Sequence, residues 1–385
     1  MNALYYRDPY CREFDAEVVR CTPGKKGFEV VLTDTAFYPE GGGQPADHGT
    51  LNDVKVTDVR ERNDEIVHFT EEALPEGSTV HGVICWQRRF DHMQNHSGEH
   101  IVSGLIHKHF GYENVGFHMG PEETLIDFDG MLDEEQIRMI EHEANELIWR
   151  NIATKVYFPG AEELAATDYR SKKELHGTIR LVEFPDADLC ACCGTHVERT
   201  GEIGLIKITD SEKHKNGTRL HLLCGMRALR DYGKKNEETW NTAHLLSAKP
   251  YEISAHVEKL LDENGRKQKQ ISVLTGEILN FRASQLPEHQ KLLLDFETGL
   301  DTVRLREFAN TLVESRDAET AAVFCGQDQL WSYVIVSRSA DLKAVSAELN
   351  RRLNGRGGGS RQMIQGTCTA DRETITAAVT ELLDC

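Results

Sequence analysis

The chain has 385 residues, 39% hydrophobic and 28% charged, enough for two or three domains with their own cores. Its formal net charge of −19 argues against a non-specific nucleic-acid binder, which needs a basic surface to release counterions; a local basic patch for one particular RNA stays compatible with it. No apolar run approaches the roughly 18–20 residues that cross a bilayer, and the start MNALYYRDPYCREF carries charges where a secretory signal has an apolar core, so a cytoplasmic protein without membrane contact is expected.

Residues 1–90 read as β-rich. FEVVLTD, VKVTDVRERNDEIVHFT and STVHGVICW alternate or run apolar and are bounded by Gly, Pro, Asn and Asp, which predicts a small antiparallel barrel or curled sheet. Residues 88–111 have a helical period in Ile101, Val102, Leu105 and Ile106, with Gly111 as a stop. ETLIDFDG predicts a strand. LDEEQIRMIEHEANELIWRN predicts an amphipathic helix with Ile137, Ile140, Ala144 and Ile148 on one stripe. TIRLVEF and IGLIKITD read as strands on either side of a cysteine cluster. Residues 231–287 lose the β pattern and read as charged helices broken at Pro250, a helical hairpin or short coiled-coil linker. Residues 288–385 return to α/β texture, with strands in AAVFCG and SYVIVSR, helices in DLKAVSAELNRRLN and TITAAVTELL, and a Gly-rich turn between them. The elements mix without strict βαβ alternation, so the expected class is α+β: a β-barrel over 1–90, an α+β domain over 91–230, the linker, and a C-terminal α/β domain.

The chemistry concentrates in two short motifs. HSGEH places His96 and His100 four apart, one helical turn on one face, and CCGTH repeats that spacing with Cys192 and His196. Two such pairs that meet in space make a tetrahedral Cys-His₃ zinc site, assembled by the fold because the pairs are far apart in the chain. A purely structural zinc is the main alternative, since four protein ligands usually close a site. Cys193 and Cys190 are rival sulfur ligands, and His92 forms a second four-apart pair with His96. With ten cysteines and no secretory signal, thiols or metal ligands are expected rather than disulfides; Cys11, Cys21, Cys85, Cys224, Cys325, Cys368 and Cys385 read as scattered small hydrophobes or free thiols. Glu99, between the histidines, reads as a solvent-facing helix residue; a catalytic base is the weaker alternative.

Two glycine runs stand out. In TDTAFYPEGGGQPADHGTL, Gly41, Gly42 and Gly43 leave room for a ligand or another backbone to approach, with the Thr35 hydroxyl and Gln44 amide nearby; an ordinary hairpin turn is the alternative. In NRRLNGRGGGSRQMIQGT, Arg351, Arg352, Arg356 and Arg361 flank Gly357, Gly358 and Gly359, a composition suited to phosphate; a basic loop after a helix is the alternative. Neither run fits a dinucleotide fingerprint or a P-loop, so no nucleotide cofactor is expected.

The order of TAFYPEGGGQ, HSGEH, CCGTHV, TGEIG and RLHLLCG resembles the editing domain of alanyl-tRNA synthetase, and more closely the free-standing alanyl-tRNA editing proteins of the long AlaX type. The likeness covers roughly residues 1–230, and LNGRGGGSRQMIQG is similar to the DHH-associated domain that ends both groups. No aminoacylation core precedes the editing part, so a synthetase is not expected. The resemblance implies hydrolysis of serine, with glycine as a further candidate, wrongly esterified to tRNA(Ala). It implies Zn²⁺ held by His96, His100, Cys192 and His196. It also implies Thr35 as a residue that helps distinguish serine from alanine, and Gly41 to Gly43 with Gln44 lining the acyl-adenosine pocket. One departure touches the metal: the family commonly has C-G-G-T-H, where this chain has Cys193 in place of the first glycine. A zinc-stabilised tRNA-binding or assembly module without catalysis is the alternative function. The partner is then misacylated tRNA(Ala), and the helical middle with the terminal α/β domain leaves a homodimer open.

Overall fold

A computed structural model describes residues 3–171, 179–327 and 330–383; Thr178, which opens the expected TIRLVEF strand, and Cys385 lie outside them. The chain divides into two units, residues 1–241 and 242–385. The class is α+β.

The first unit opens with a closed six-stranded barrel. Its strands follow the spatial order Glu13–Pro23, Phe28–Leu32, Glu65–Thr70, Val54–Arg62, Gly49–Leu51 and Thr79–Ile84, and the last pairs back to the first. Alternation builds the interior: Phe14, Ala16 and Val18 point inward from the first strand and meet Val30, Leu51, Val56, Val59 and Val80. The run VKVTDVRERNDEIVHFT is a hairpin, turned at Asn63 and Asp64 with φ of 52° and 63°, the left-handed pair that a tight two-residue hairpin demands.

The Trp86–Phe110 helix follows and ends at Gly111, whose φ of 69° gives a left-handed cap. Its middle is enclosed on every side rather than along one stripe, with all residues from His92 to Ile106 buried. Glycines permit this enclosure. A Cβ at Gly98 would strike Cys224 Sγ, and one at Gly104 would strike the Ala187 carbonyl. Around the helix stand a four-stranded antiparallel sheet (Ile206–His214, Gly217–Cys224, Thr124–Phe128, Asn114–Met119), the Glu134–Trp149 helix, and a three-stranded sheet (Asp188–Ala191, Leu181–Phe184, Lys155–Tyr157). The Glu134–Trp149 helix starts at a capping box made by Asp133 and Gln136. Their shared core includes Ile101, Leu105, Ile126, Ile140, Phe184 and Leu220.

A fully buried ion pair joins the barrel's long loop, between Leu32 and Gly49, to the Trp86–Phe110 helix. Arg89 Nε lies 3.0 and 3.2 Å from the two Asp47 carboxylate oxygens, and its Nη2 also pairs with Asp47. The same guanidinium donates to the Pro9 carbonyl at 2.7 Å and to the Ala36 carbonyl. Asp47 in turn accepts the Tyr38 N–H at 2.7 Å.

In the second unit, a five-stranded sheet has the order Leu292–Glu297, Thr320–Gln327, Leu330–Ser337, Met363–Thr369, Arg356–Gly359; the first pair is parallel and the rest antiparallel. The Thr302–Ser315 helix packs on one face, through Leu305, Phe308 and Leu312. The Leu342–Arg352 and Arg372–Leu383 helices pack on the other, through Leu349, Ile375 and Val379. Leu279 and Ala283, near the end of the long Ile253–Gln285 helix, join the first of these cores.

Arg89→Leu is expected to cost about 3–5 kcal/mol, because it strands the Asp47 carboxylate without solvent, and Arg89→Leu combined with Asp47→Leu is expected to cost less. Urea unfolding of both variants checks this; equal losses would show that the pairing is not what matters.

Candidate metal centre

The long helix delivers His96 and His100 from successive turns, as the spacing predicts. Cys192 and His196 arrive differently. They lie in an irregular segment, not a helix, because its backbone groups bond outward: Cys192 N–H to the Arg180 carbonyl (3.1 Å), Thr195 N–H to Gln44 Oε1 (3.1 Å) and Val197 N–H to Ser97 Oγ (3.1 Å). Arg180 Nη1 pins the same segment by donating to the carbonyls of Cys192 (2.8 Å) and Gly194 (3.1 Å). One ligand-capable atom from each of His96, His100, Cys192 and His196 lies within 4.8 Å of all the others. Cys192 Sγ is 3.5 Å from His96 Nε2 and 3.6 Å from His196 Nε2.

The far side of two rings is fixed. His96 Nδ1 meets Gln44 Oε1 at 2.9 Å. An amide oxygen only accepts, so Nδ1 carries the proton and Nε2 turns a lone pair toward the cluster. His100 Nδ1 meets Asp188 Oδ2 at 2.7 Å, and Arg170 holds both Asp188 oxygens, at 2.7 and 2.9 Å. Phe117 stacks on His96, with centroids 5.2 Å apart.

Electrostatics follow from this enclosure. Burial raises the Cys192 thiol, but the three imidazoles and a hydrogen bond with His100 outweigh it and bring the group well below its ordinary range. Burial lowers His100, yet the Cys192 charge and the Asp188 hydrogen bond win and lift it to about 10. His196 has no such carboxylate, and burial takes it down to about 3. Burial also raises Asp188, but the hydrogen bond from His100 dominates and its pKa falls.

The first glycine run is a hairpin turn with a task. Gly41 and Gln44 exchange backbone hydrogen bonds at 3.1 and 3.0 Å around Gly42 and Gly43, whose φ values are 57° and 85°. A side chain at Gly43 would also strike the Phe117 ring. The turn aims Gln44 between His96 and Thr195: Nε2 donates to Thr195 Oγ1 at 2.9 Å while Oε1 accepts from His96 and Thr195 N–H. Thr35 is buried, and its hydroxyl bonds within the barrel, to His68 Nε2 at 2.8 Å and from Phe37 N–H at 3.1 Å.

Other candidates fall elsewhere. Cys193 is exposed and hydrogen-bonds Tyr6 instead of joining the histidines, and burial of its thiol raises its pKa. Cys190 is buried beside His100 and Asp188, its thiol pushed up by burial. Glu99 does not face solvent: it is fully buried, with Oε1 accepting from Ser103 Oγ at 2.8 Å and Asn114 Nδ2 at 2.6 Å, because the helix is enclosed all round. Gly357 to Gly359 form, with Arg356, an exposed strand at the sheet edge rather than a loop. Arg351 pairs with Glu348, Arg352 with Glu348 and Glu381, and Arg361 with Asp341. Among the described residues no ion pair engages Arg356. Sequence reasoning missed Asp188, Arg170, Phe117 and His68. Strand alternation carried a signal for the first, since 188 and 190 share one face of the Asp188–Ala191 strand.

A Cβ at Gly194 would fall on the His96 ring and within 3.0 Å of Gln44 Oε1. Gly194→Ala is therefore expected to destabilise by about 1–3 kcal/mol through overpacking. An unchanged thermal midpoint would reject the close contact.

Residues 179–221 match the family model described as "Threonyl and Alanyl tRNA synthetase second additional domain", and residues 11–88 match "tRNA synthetases class II (A)". The chain is similar to the alanyl-tRNA editing protein AlaX-L of Pyrococcus horikoshii, 28% identical over 100% of this chain and 98% of that protein. It is 30% identical to the alanyl-tRNA editing protein Aarsd1 of Mus musculus, covering 96% and 94% of the two chains. It is 34% identical to the alanine–tRNA ligase of Natronomonas pharaonis, over 91% of this chain and 40% of the ligase. By motif order, extent and identity alike, the chain belongs to the family of alanyl-tRNA editing proteins.

Proposed function

We propose that the protein is a zinc-dependent deacylase that clears misacylated tRNA(Ala), chiefly Ser-tRNA(Ala) and also Gly-tRNA(Ala). The observation that carries this reading is the cluster of buried His96, His100 and His196 with half-buried Cys192. Its donor set suits zinc: one sulfur with a strongly depressed pKa and imidazoles whose outer nitrogens are held by Gln44 and Asp188. A cation would displace the proton that His100 otherwise holds against the sulfur.

Bound zinc supplies Lewis acidity or an anchor for the aminoacyl group. The chain's own residues do the rest. Deacylation adds water across the ester, breaking the acyl carbon–ribose oxygen bond and returning a proton to the ribose hydroxyl. Gln44 is assigned a positioning role, because both ends of its amide are spent on His96 and Thr195. The turn at Gly41 to Gly43 carries Gln44 and keeps side chains away from the acyl-adenosine end. Thr35 is the group that meets the side chain of the amino acid. A pocket that hydrogen-bonds the serine hydroxyl leaves its own polar atom unmatched when alanine enters, which discriminates against the cognate ester. In the second unit, the edge strand Arg356–Gly359 offers an exposed guanidinium beside open backbone, a surface suited to tRNA phosphate in a DHH-associated-type domain. Neighbouring carboxylates neutralise Arg351, Arg352 and Arg361, in keeping with a chain of charge −19 that meets RNA at few points.

Two experiments test the reading. Asp188→Ala is expected to weaken zinc binding about 10–100-fold in chelator competition, and Cys192→Ala to abolish it. Cys193→Ala should leave it unchanged. Ser-tRNA(Ala) hydrolysis that persists in folded, metal-free protein would sink the zinc assignment; folded, zinc-loaded protein without hydrolysis would favour a non-catalytic tRNA-binding module. Thr35→Val is expected to lower the ratio of kcat/KM for Ser-tRNA(Ala) over Ala-tRNA(Ala) by about 10–100-fold. An unchanged ratio would remove Thr35 from this role.

A further inference from the structure

His68 lies on the Glu65–Thr70 strand, and its side chain is wholly enclosed by the barrel. The ring has two polar partners. Nδ1 is 3.1 Å from the Val30 carbonyl oxygen, and Nε2 is 2.8 Å from Thr35 Oγ1. A carbonyl only accepts, so Nδ1 holds the ring proton. A second proton is disfavoured, since burial takes the pKa of the imidazole down to about 4. Nε2 therefore presents a lone pair, and the Thr35 hydroxyl has to donate to it. The Phe37 ring stands edge-on to the imidazole, centroids 5.5 Å apart at 80°, and holds its plane.

The Thr35 oxygen is engaged once more, by the Phe37 N–H at 3.1 Å. A hydroxyl has one proton and two lone pairs. Its proton goes to His68 and one lone pair to Phe37, which leaves one lone pair and nothing to donate. A free threonine hydroxyl rotates and can pair with either a donor or an acceptor. This one cannot.

We propose that His68 is a positioning residue for specificity: it turns the Thr35 hydroxyl into an acceptor only, so that the pocket rewards an amino acid whose side chain donates a hydrogen bond. The inference rests on the reading of Thr35 as the group that meets that side chain. A serine hydroxyl donates to the remaining lone pair. An alanine methyl leaves it desolvated and unmatched, and a water that turned its oxygen toward Thr35 would find no donor there.

The test measures kcat/KM on Ser-tRNA(Ala) and Ala-tRNA(Ala) for the full-length zinc-loaded protein and for His68→Leu, His68→Gln and Thr35→Val. His68→Leu removes the acceptor. The Thr35 hydroxyl is then free to turn, and serine no longer meets a fixed acceptor: the serine rate should fall at least about tenfold while the alanine rate stays within about twofold, the signature of one lost oriented contact rather than of a damaged fold. His68→Gln, whose amide can still accept from Thr35 and donate to Val30, should retain most of the wild-type ratio. Equal losses on both esters in His68→Leu, or a wild-type ratio, would overturn the proposal. If Thr35→Val leaves the ratio unchanged, the Thr35 reading itself fails; if Thr35→Val changes it and His68→Leu does not, only the role of His68 fails. Should His68→Leu not fold, ¹⁵N-histidine NMR of the wild-type protein decides. A neutral ring protonated on Nδ1 near pH 7 is expected, and a proton on Nε2 would overturn the proposal.

Discussion

Arg89 and Asp47 have no access to solvent, and the candidate site depends on where they hold the chain. A buried ion pair is a poor source of net stability, since desolvation consumes most of the Coulombic gain. Its effect here is geometric. One guanidinium gathers Pro9, Ala36 and Asp47, so the long loop of the barrel has one position relative to the helix. His96 and His100 project from that helix two and three turns further on, and Gln44 comes from that loop. The contact between Gln44 and His96 is thus a consequence of the clamp at the helix start.

Around the cluster, each outer contact decides which atom faces inward. Gln44 and Asp188 accept hydrogen bonds from His96 Nδ1 and His100 Nδ1, and this fixes which way both rings turn. His100 first, and Arg170 after it, hold the Asp188 carboxyl below its ordinary range against the upward pull of burial. His196 has no partner at Nδ1 among the described residues, and its ring is held by neighbours instead: His96, His100 and Phe184 all pack within 6.0 Å between centroids. The site is therefore made rigid in two ways, by hydrogen bonds on one side and ring packing on the other.

How much of this was legible depended on how local each feature is. The HSGEH pair was, because helical spacing is a property of five consecutive residues. The CCGTH pair was legible as donors but not as conformation: its backbone bonds reach Gln44, 151 positions away, and Ser97, 100 positions away. Glu99 read as a surface residue because a helix is ordinarily exposed on one side, and only the packing of Cys224 and Ala187 against Gly98 and Gly104 reveals one that is not. The barrel followed from alternation. The strand Arg356–Gly359 did not, since a glycine run carries no side-chain pattern and is ordered by its neighbour Met363–Thr369. The ion pairs of the flanking arginines, Arg352 with Glu381 and Arg361 with Asp341, join residues far apart in the chain and carry no local signal.

Cys192 and Cys193 are adjacent, yet they divide exposure and reactivity between them. Oxidants attack thiolates that they can reach. Cys193 is exposed as a residue, but its thiol turns toward Tyr6, and partial burial there raises its pKa. The Cys192 thiol is brought well below its ordinary range by three imidazoles and a hydrogen bond with His100, against the upward pull of burial. Away from the imidazoles a cysteine is an ordinary, sluggish thiol; beside them, the groups that lower the Cys192 pKa also crowd its sulfur. In the folded site, neither of these two neighbouring cysteines offers an oxidant a thiolate within easy reach.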